Sequence, residues 1–161
     1  MPTGGVNEKN LLDYIKFNKI VACGGTWMVK KDLIEAENWD EIERLTRQAV
    51  QTMLGLRVDH IGINTENEQE AQAAAKLFVD MFGMKEKVGN SSIFVGENEI
   101  EIMKKMYLGK NGHIAIATHT LPRAIAYFRA RGYEFREETV TDKAAYFKDE
   151  IAGFAIHLVQ R

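Results

Sequence analysis

Histidine is scarce in this chain of 161 residues, and two of the four stand in matching places. His60 lies in VDHIGINT at 58–65 and His113 in GHIAIAT at 112–118. Side chains alternate between the two faces of a strand. His60 therefore shares a face with Gly62 and Asn64, opposite Ile61 and Ile63. His113 shares one with Ala115 and Ala117, opposite Ile114 and Ile116. In NEIEIMKK, Glu99, Glu101 and Met103 oppose Ile100 and Ile102. In GFAIHLVQ, Ala155, His157 and Val159 oppose Phe154, Ile156 and Leu158. Four ionisable groups, His60, Glu101, His113 and His157, thus mark four strands on faces with small residues. Imidazoles and a carboxylate suit Zn, Fe, Ni or Mn. A divalent ion held with positions open acts as a Lewis acid. The alternative is four polar residues on an outward sheet face. Glu99 has the parity of Glu101, but the IEI context favours Glu101. His119, beside Thr120 at a strand end, reads as a surface or capping residue, and Tyr146 as either a cavity wall or core.

The elements that must place these groups repeat. After Gly55 comes a strand, then a helix in ENEQEAQAAAKLFVDMF with Ala74, Leu77, Phe78 and Met81 as its apolar stripe, ended by Gly83. Further strands follow in KEKVGNSSIFVGENEIEIMKKMYL. The second copy repeats the plan, with GHIAIAT, a helix in LPRAIAYFRARGY with Pro122 near its start and Gly132 past its end, and strands in the remainder. Each copy reads as βαβββ, over 56–108 and 111–161, and a doubled unit of this length implies a shared core. The isoleucine faces call for helices over them.

Residues 1–54 read differently. They hold the pairs Gly4-Gly5 and Gly24-Gly25 and a final helix in NWDEIERLTRQAVQTML. Asn38 or Asp40 caps it, Ile42, Leu45, Ala49 and Met53 recur at helical spacing, and Gly55 stops it.

The chain is 45% apolar with a net charge of -2, so it lacks the basic footprint of a nucleic-acid binder. No stretch has the apolar length of a membrane span. The single cysteine, Cys23, and an amino terminus without an apolar signal core lead to the expectation of a cytoplasmic protein.

On DHIGI, IEI, GHIAI and FAIHL, residues 56–161 resemble the vicinal oxygen chelate superfamily of glyoxalases, extradiol dioxygenases and epimerases. The resemblance implies an α+β fold in which two βαβββ modules form a curled mixed sheet around a divalent metal. It implies His60, Glu101, His113 and His157 as ligands. A glutamate commonly stands at the last position, so a carboxylate able to act as base is replaced here by an imidazole.

On MPTGGVNEKNLLDYI and IVACGGTWMVKKDLI, residues 1–54 resemble the carboxyl-terminal end of the 2-keto-3-deoxy-6-phosphogluconate (KDPG) and 4-hydroxy-2-oxoglutarate aldolases, which are (β/α)8 barrels using a Schiff-base lysine. The resemblance implies carboxylate contact at Thr3, Gly4 and Gly5 and phosphate contact at Gly24, Gly25 and Thr26. Glycine-rich turns do make anion nests. It also places the catalytic lysine upstream, with Lys9, Lys16, Lys30 and Lys31 exposed and out of position. The expected organisation is a mainly helical remnant of an aldolase barrel at 1–54 and a chelate-type domain at 55–161. The expected function is metal-dependent action on, or binding of, a small 2-oxo or hydroxy acid within an aldolase fusion (a lyase). The alternative is a module that binds a metal or ligand, or supports assembly, without activity of its own. Leu11, Leu12, Ile15, Phe17, Val21, Trp27 and Trp39 need cover, which points to packing on the second part or to a homodimer.

Overall fold

The computed structural model describes residues 1–17 and 19–161. They form two compact units, Met1–Leu56 and Arg57–Arg161.

The first unit is helical, with α1 (Leu11–Ile15), a 3-10 turn at Thr26–Met28, α2 (Lys31–Glu35) and α3 (Trp39–Leu54). Asn38 caps α3, its side chain accepting from the Glu41 amide at 3.2 Å. Gly55 ends the helix at φ 60, a left-handed cap that costs glycine little. Ala49 and Met53 of α3 pack with Val6, Leu11, Ile15, Tyr14, Cys23, Trp27 and Met28. Three of the residues expected to need cover, Phe17, Val21 and Trp39, are exposed.

The second unit is β1 (Arg57–Asn64), α4 (Glu68–Phe82), β2 (Glu86–Val88), β3 (Ser92–Val95), β4 (Ile100–Met103), β5 (Gly112–Thr118), α5 (Leu121–Ala130), β6 (Ala144–Ile151) and β7 (Phe154–Gln160). The strands make one mixed seven-stranded sheet, ordered β2-β3-β4-β1-β5-β7-β6. β1 runs parallel to β4 and β5 to β7, and the central pair β1–β5 is antiparallel.

This corrects the expected fold in two respects. No ladder joins β2 to β6 among the described residues, so the sheet is open rather than curled. The charged residues along β2 and β6 (Glu86, Lys87, Lys148, Asp149, Glu150) suit strands at sheet ends. The second copy is also not βαβββ. Where its first strand after the helix should lie, only an isolated bridge forms, Phe135 to Phe147. The chain turns at once into a 3-10 helix at Glu137–Thr139, and Phe135 is kept by burial and by stacking on Phe147 at 4.4 Å.

Helix cover on the isoleucine face is uneven. α4 packs Ala71 and Ala75 on Ile93, Val95 and Ile102, with Ala74, Phe78 and Val79 alongside. The expected stripe is therefore rotated, because Leu77 and Met81 are 59% and 68% exposed. Short alanines let the helix lie close to β3 and β4, and Leu77 and Met81 fall outside that contact. On the central strand Ile61 remains 41% exposed. Ile116, Phe128, Phe147, Ile156 and Leu158 line an open apolar hollow of about 280 Å³ on the α5 side.

Candidate metal centre

The opposite face brings the four predicted groups together, and the pairing register explains how. Along one row Glu101 of β4 lies beside Gly62 of β1, which faces His113 of β5, which lies beside Ala155 of β7. In the next row His60 of β1 faces Ala115 of β5, which lies beside His157 of β7. Functional side chains thus alternate with Gly62, Ala115 and Ala155. Ile61 faces Ile114 between the rows, which relates the two halves by an approximate two-fold. A Cβ at Gly62 would overlap the His113 ring, so the ring fills the space that the glycine leaves.

Three donor atoms form a triangle. His60 Nε2 lies 3.2 Å from His113 Nε2, and Glu101 Oε2 lies 3.2 Å from each. Donors around one ion with bonds of ~2.0–2.1 Å are separated by roughly 3.0–3.4 Å. His157 completes the group, with ring centroids 5.6 Å from His60 and 5.1 Å from His113. His60, His113 and His157 are all buried and each offers a nitrogen within 4.8 Å of the others. They form a three-histidine site capable of coordinating a divalent metal ion.

Polar satisfaction points the same way. Neither ring nitrogen of His157 has a hydrogen-bond partner, nor has Nδ1 of His113. Buried orphans of this kind cost about 1–3 kcal/mol each and call for an explanation. Burial first, then the charges of His113 and His60, push His157 down to about 3, so it stands as a neutral imidazole, the form that ligates metals. Tyr146, opposite it on β6, stacks on the ring at 4.4 Å and 8° and fixes its plane. Burial, with Tyr107 and Glu101 nearby, pushes the Tyr146 phenol up. Burial alone would raise the Glu101 carboxyl as well. Hydrogen bonds from His113, His60 and Ser92 overcome this and hold it well below the usual carboxylate range. Ser92 Oγ donates to Glu101 Oε1 at 2.6 Å, leaving Oε2 for the centre.

Three groups around the centre were not legible in the sequence. Besides Ser92 these are Asp59 and Arg161. Strict alternation puts Asp59 on the face opposite His60. A register shift between Val58 and His60 inserts Asp59 as a bulge, and its carboxylate reaches His60 Nδ1 at 2.8 Å. Arg161 Nε and Nη2 donate to Asp59 Oδ1 and Oδ2, each at 2.6 Å. These bonds hold the Asp59 carboxyl down at about 2 against the opposing effect of burial, with His60 helping. Burial favours the neutral His60 ring, but hydrogen bonds to Glu101 and Asp59 outweigh it and raise the imidazole.

The remaining candidates stand apart. Glu99 is exposed and its carboxylate accepts from the Glu97 amide. His119 lies at the end of β5, where its carbonyl accepts from Gln160 Nε2. In the first unit the Gly24 amide donates to the carbonyl of Pro2, the residue before Thr3, at 2.9 Å. Lys9, Lys16, Lys30 and Lys31 are all exposed. Among the described residues no helix is long and apolar enough to cross a membrane.

Comparison with known proteins divides the chain along similar lines. The family described as KDPG and KHG aldolase matches residues 1–45. A 2-dehydro-3-deoxy-phosphogluconate aldolase of Haemophilus influenzae is 54% identical over 50 residues, 31% of this chain and 24% of that protein. The KHG/KDPG aldolase of Escherichia coli K12 is 40% identical over 50 residues, again 31% and 24%. The chain spans about a quarter of the length of these relatives. A methylmalonyl-CoA epimerase from Mycobacterium tuberculosis is similar in structure, with a TM-score of 0.50 and 18% identity, covering 64% of this chain and 86% of that one. The N-terminal segment resembles the aldolases, and the C-terminal region resembles vicinal oxygen chelate folds.

Proposed function

We propose that residues 55–161 hold a divalent ion through His60, His113, His157 and Glu101 and use it to bind a small 2-oxo or 2-hydroxy acid. The observation that carries this reading is the 3.2 Å triangle of His60 Nε2, His113 Nε2 and Glu101 Oε2 beside the partnerless nitrogens of His157. When bound, the ion would supply Lewis acidity to adjacent oxygens of the ligand.

The chain's own residues favour an anionic ligand. Three neutral imidazoles and one carboxylate leave a divalent centre with net positive charge, and Arg161 offsets Asp59. Tyr146 keeps the plane of His157, and Ser92 keeps the orientation of Glu101. No general base is assigned, since the Glu101 carboxylate is taken up by ligation.

Residues 1–54 are read as the carboxyl-terminal part of an aldolase barrel, with Thr3, Gly4, Gly5, Gly24, Gly25 and Thr26 as what remains of its anion-binding turns. A fusion of the two parts would bring related oxo acids to both, which favours 2-oxo acids as the ligand class.

Metal content of the purified full chain, by elemental analysis, tests the centre. About one Zn, Fe, Ni or Mn per chain is expected, lost in His60→Ala and His113→Ala. Pyruvate added to the loaded protein should bind, as read by calorimetry. Unchanged metal content in both variants would sink the proposal.

A further inference from the structure

We propose that Arg161 and Asp59 are positioning residues that orient the His60 ring so that Nε2, rather than Nδ1, faces the centre. This rests on the metal-centre reading above. Asp59 is oriented by two bonds at once, because the Arg161 guanidinium grips both of its oxygens. The shared oxygen, Oδ2, is also the one 2.8 Å from His60 Nδ1. A carboxylate only accepts, so Nδ1 donates to Asp59, and without an ion Nε2 donates to Glu101 in the same way; a bound ion would displace the Nε2 proton and leave the Nδ1 proton in place. Nε2 is then the atom presented to Glu101 and His113.

Nothing in a regular strand would allow this, since Asp59 and His60 would point to opposite faces. The bulge spends one residue of β1 to bring both onto one face. Arg161 is itself anchored, because its amide donates to the Thr118 carbonyl at 3.1 Å. It directly follows β7, the strand that carries His157. The orientation of His60 on β1 is therefore set from the end of the strand holding another of the proposed ligands. An imidazole whose far nitrogen donates to a carboxylate is also a stronger donor towards a metal.

The test uses the full chain with Zn²⁺ as probe, titrated in competition with a chromophoric chelator. Asp59→Ala should weaken Zn²⁺ binding by about 10–100-fold, with Asp59→Asn and Arg161→Gln in between. Asparagine keeps an acceptor for Nδ1 and so should rescue part of the loss, which a merely structural role would not predict. A second readout needs no metal. Proton NMR of the wild type without added Zn²⁺ should show a slowly exchanging His60 Nδ1–H, absent in Asp59→Ala and exchanging faster in Arg161→Gln.

A wild type that shows this proton but binds no Zn²⁺ would sink the metal reading and leave the orientation standing. A missing proton in the wild type, or Zn²⁺ affinity in Asp59→Ala within two-fold of wild type, would overturn the positioning role.

Discussion

Gly62 of β1 stands directly opposite His113 of β5, and the imidazole occupies the volume that any side chain at 62 would need. The glycine is thus part of the site although it offers no donor. Gly62→Ala should force the ring aside or spread the two strands. Overpacking of this kind typically costs about 1–3 kcal/mol. Loss of bound metal with a lower unfolding temperature is expected, checked by elemental analysis and thermal melting of the same sample.

Metal should stabilise the fold as well as serve it. At a free ion concentration 100 times the dissociation constant, binding adds about 2.7 kcal/mol. Stripping with a chelator should therefore lower the melting temperature of the wild type. The same treatment should leave His113→Ala unmoved.

The Asp59–Arg161 pair makes a prediction in acid. The Asp59 carboxyl sits at about 2 in the folded chain, against an ordinary 3.8. A lowered folded value gives stability that is complete above the ordinary range and is lost as pH falls from about 4 to about 2. Solvent reaches part of the pair, which limits the contribution to about 1 kcal/mol. Arg161→Gln should thus be less stable than wild type at pH 6, and the difference should close near pH 2. Melting curves across this range check it.

The core under α4 gives a plain control. Ile102 is fully buried against Ala71 and Ala75. Ile102→Ala should cost about 2–5 kcal/mol, read by denaturant unfolding. Its damage should appear in stability at either pH, unlike that of Arg161→Gln.

Alternation within strands, together with the family resemblance, put His60, Glu101, His113 and His157 on one face. It works because a regular strand has a period of two, and β4, β5 and β7 keep that period where these residues stand. Asp59 was hidden because a bulge breaks the period, and DH carries no local mark of one. Arg161 was hidden because its partner is 102 residues away. The missing strand near Phe135 was hidden for another reason. YEFRE has the alternation of a strand, but only one bridge forms before the chain turns away. The α4 stripe was misread in part, because Ala71 and Ala75 make the close contact with Ala74 and Phe78 beside them, while Leu77 and Met81 fall outside it.

The approximate two-fold between β1 and β5 has a consequence for any ligand with two unequal ends. Two identical halves would offer it a pair of equivalent poses, head to one side or to the other. Here one side ends in Glu101 braced by Ser92, and the other in His157 pressed against Tyr146. Such a mismatch lifts the degeneracy. It gives the centre a sense of direction, so that the two ends of a bound molecule would meet different chemistry.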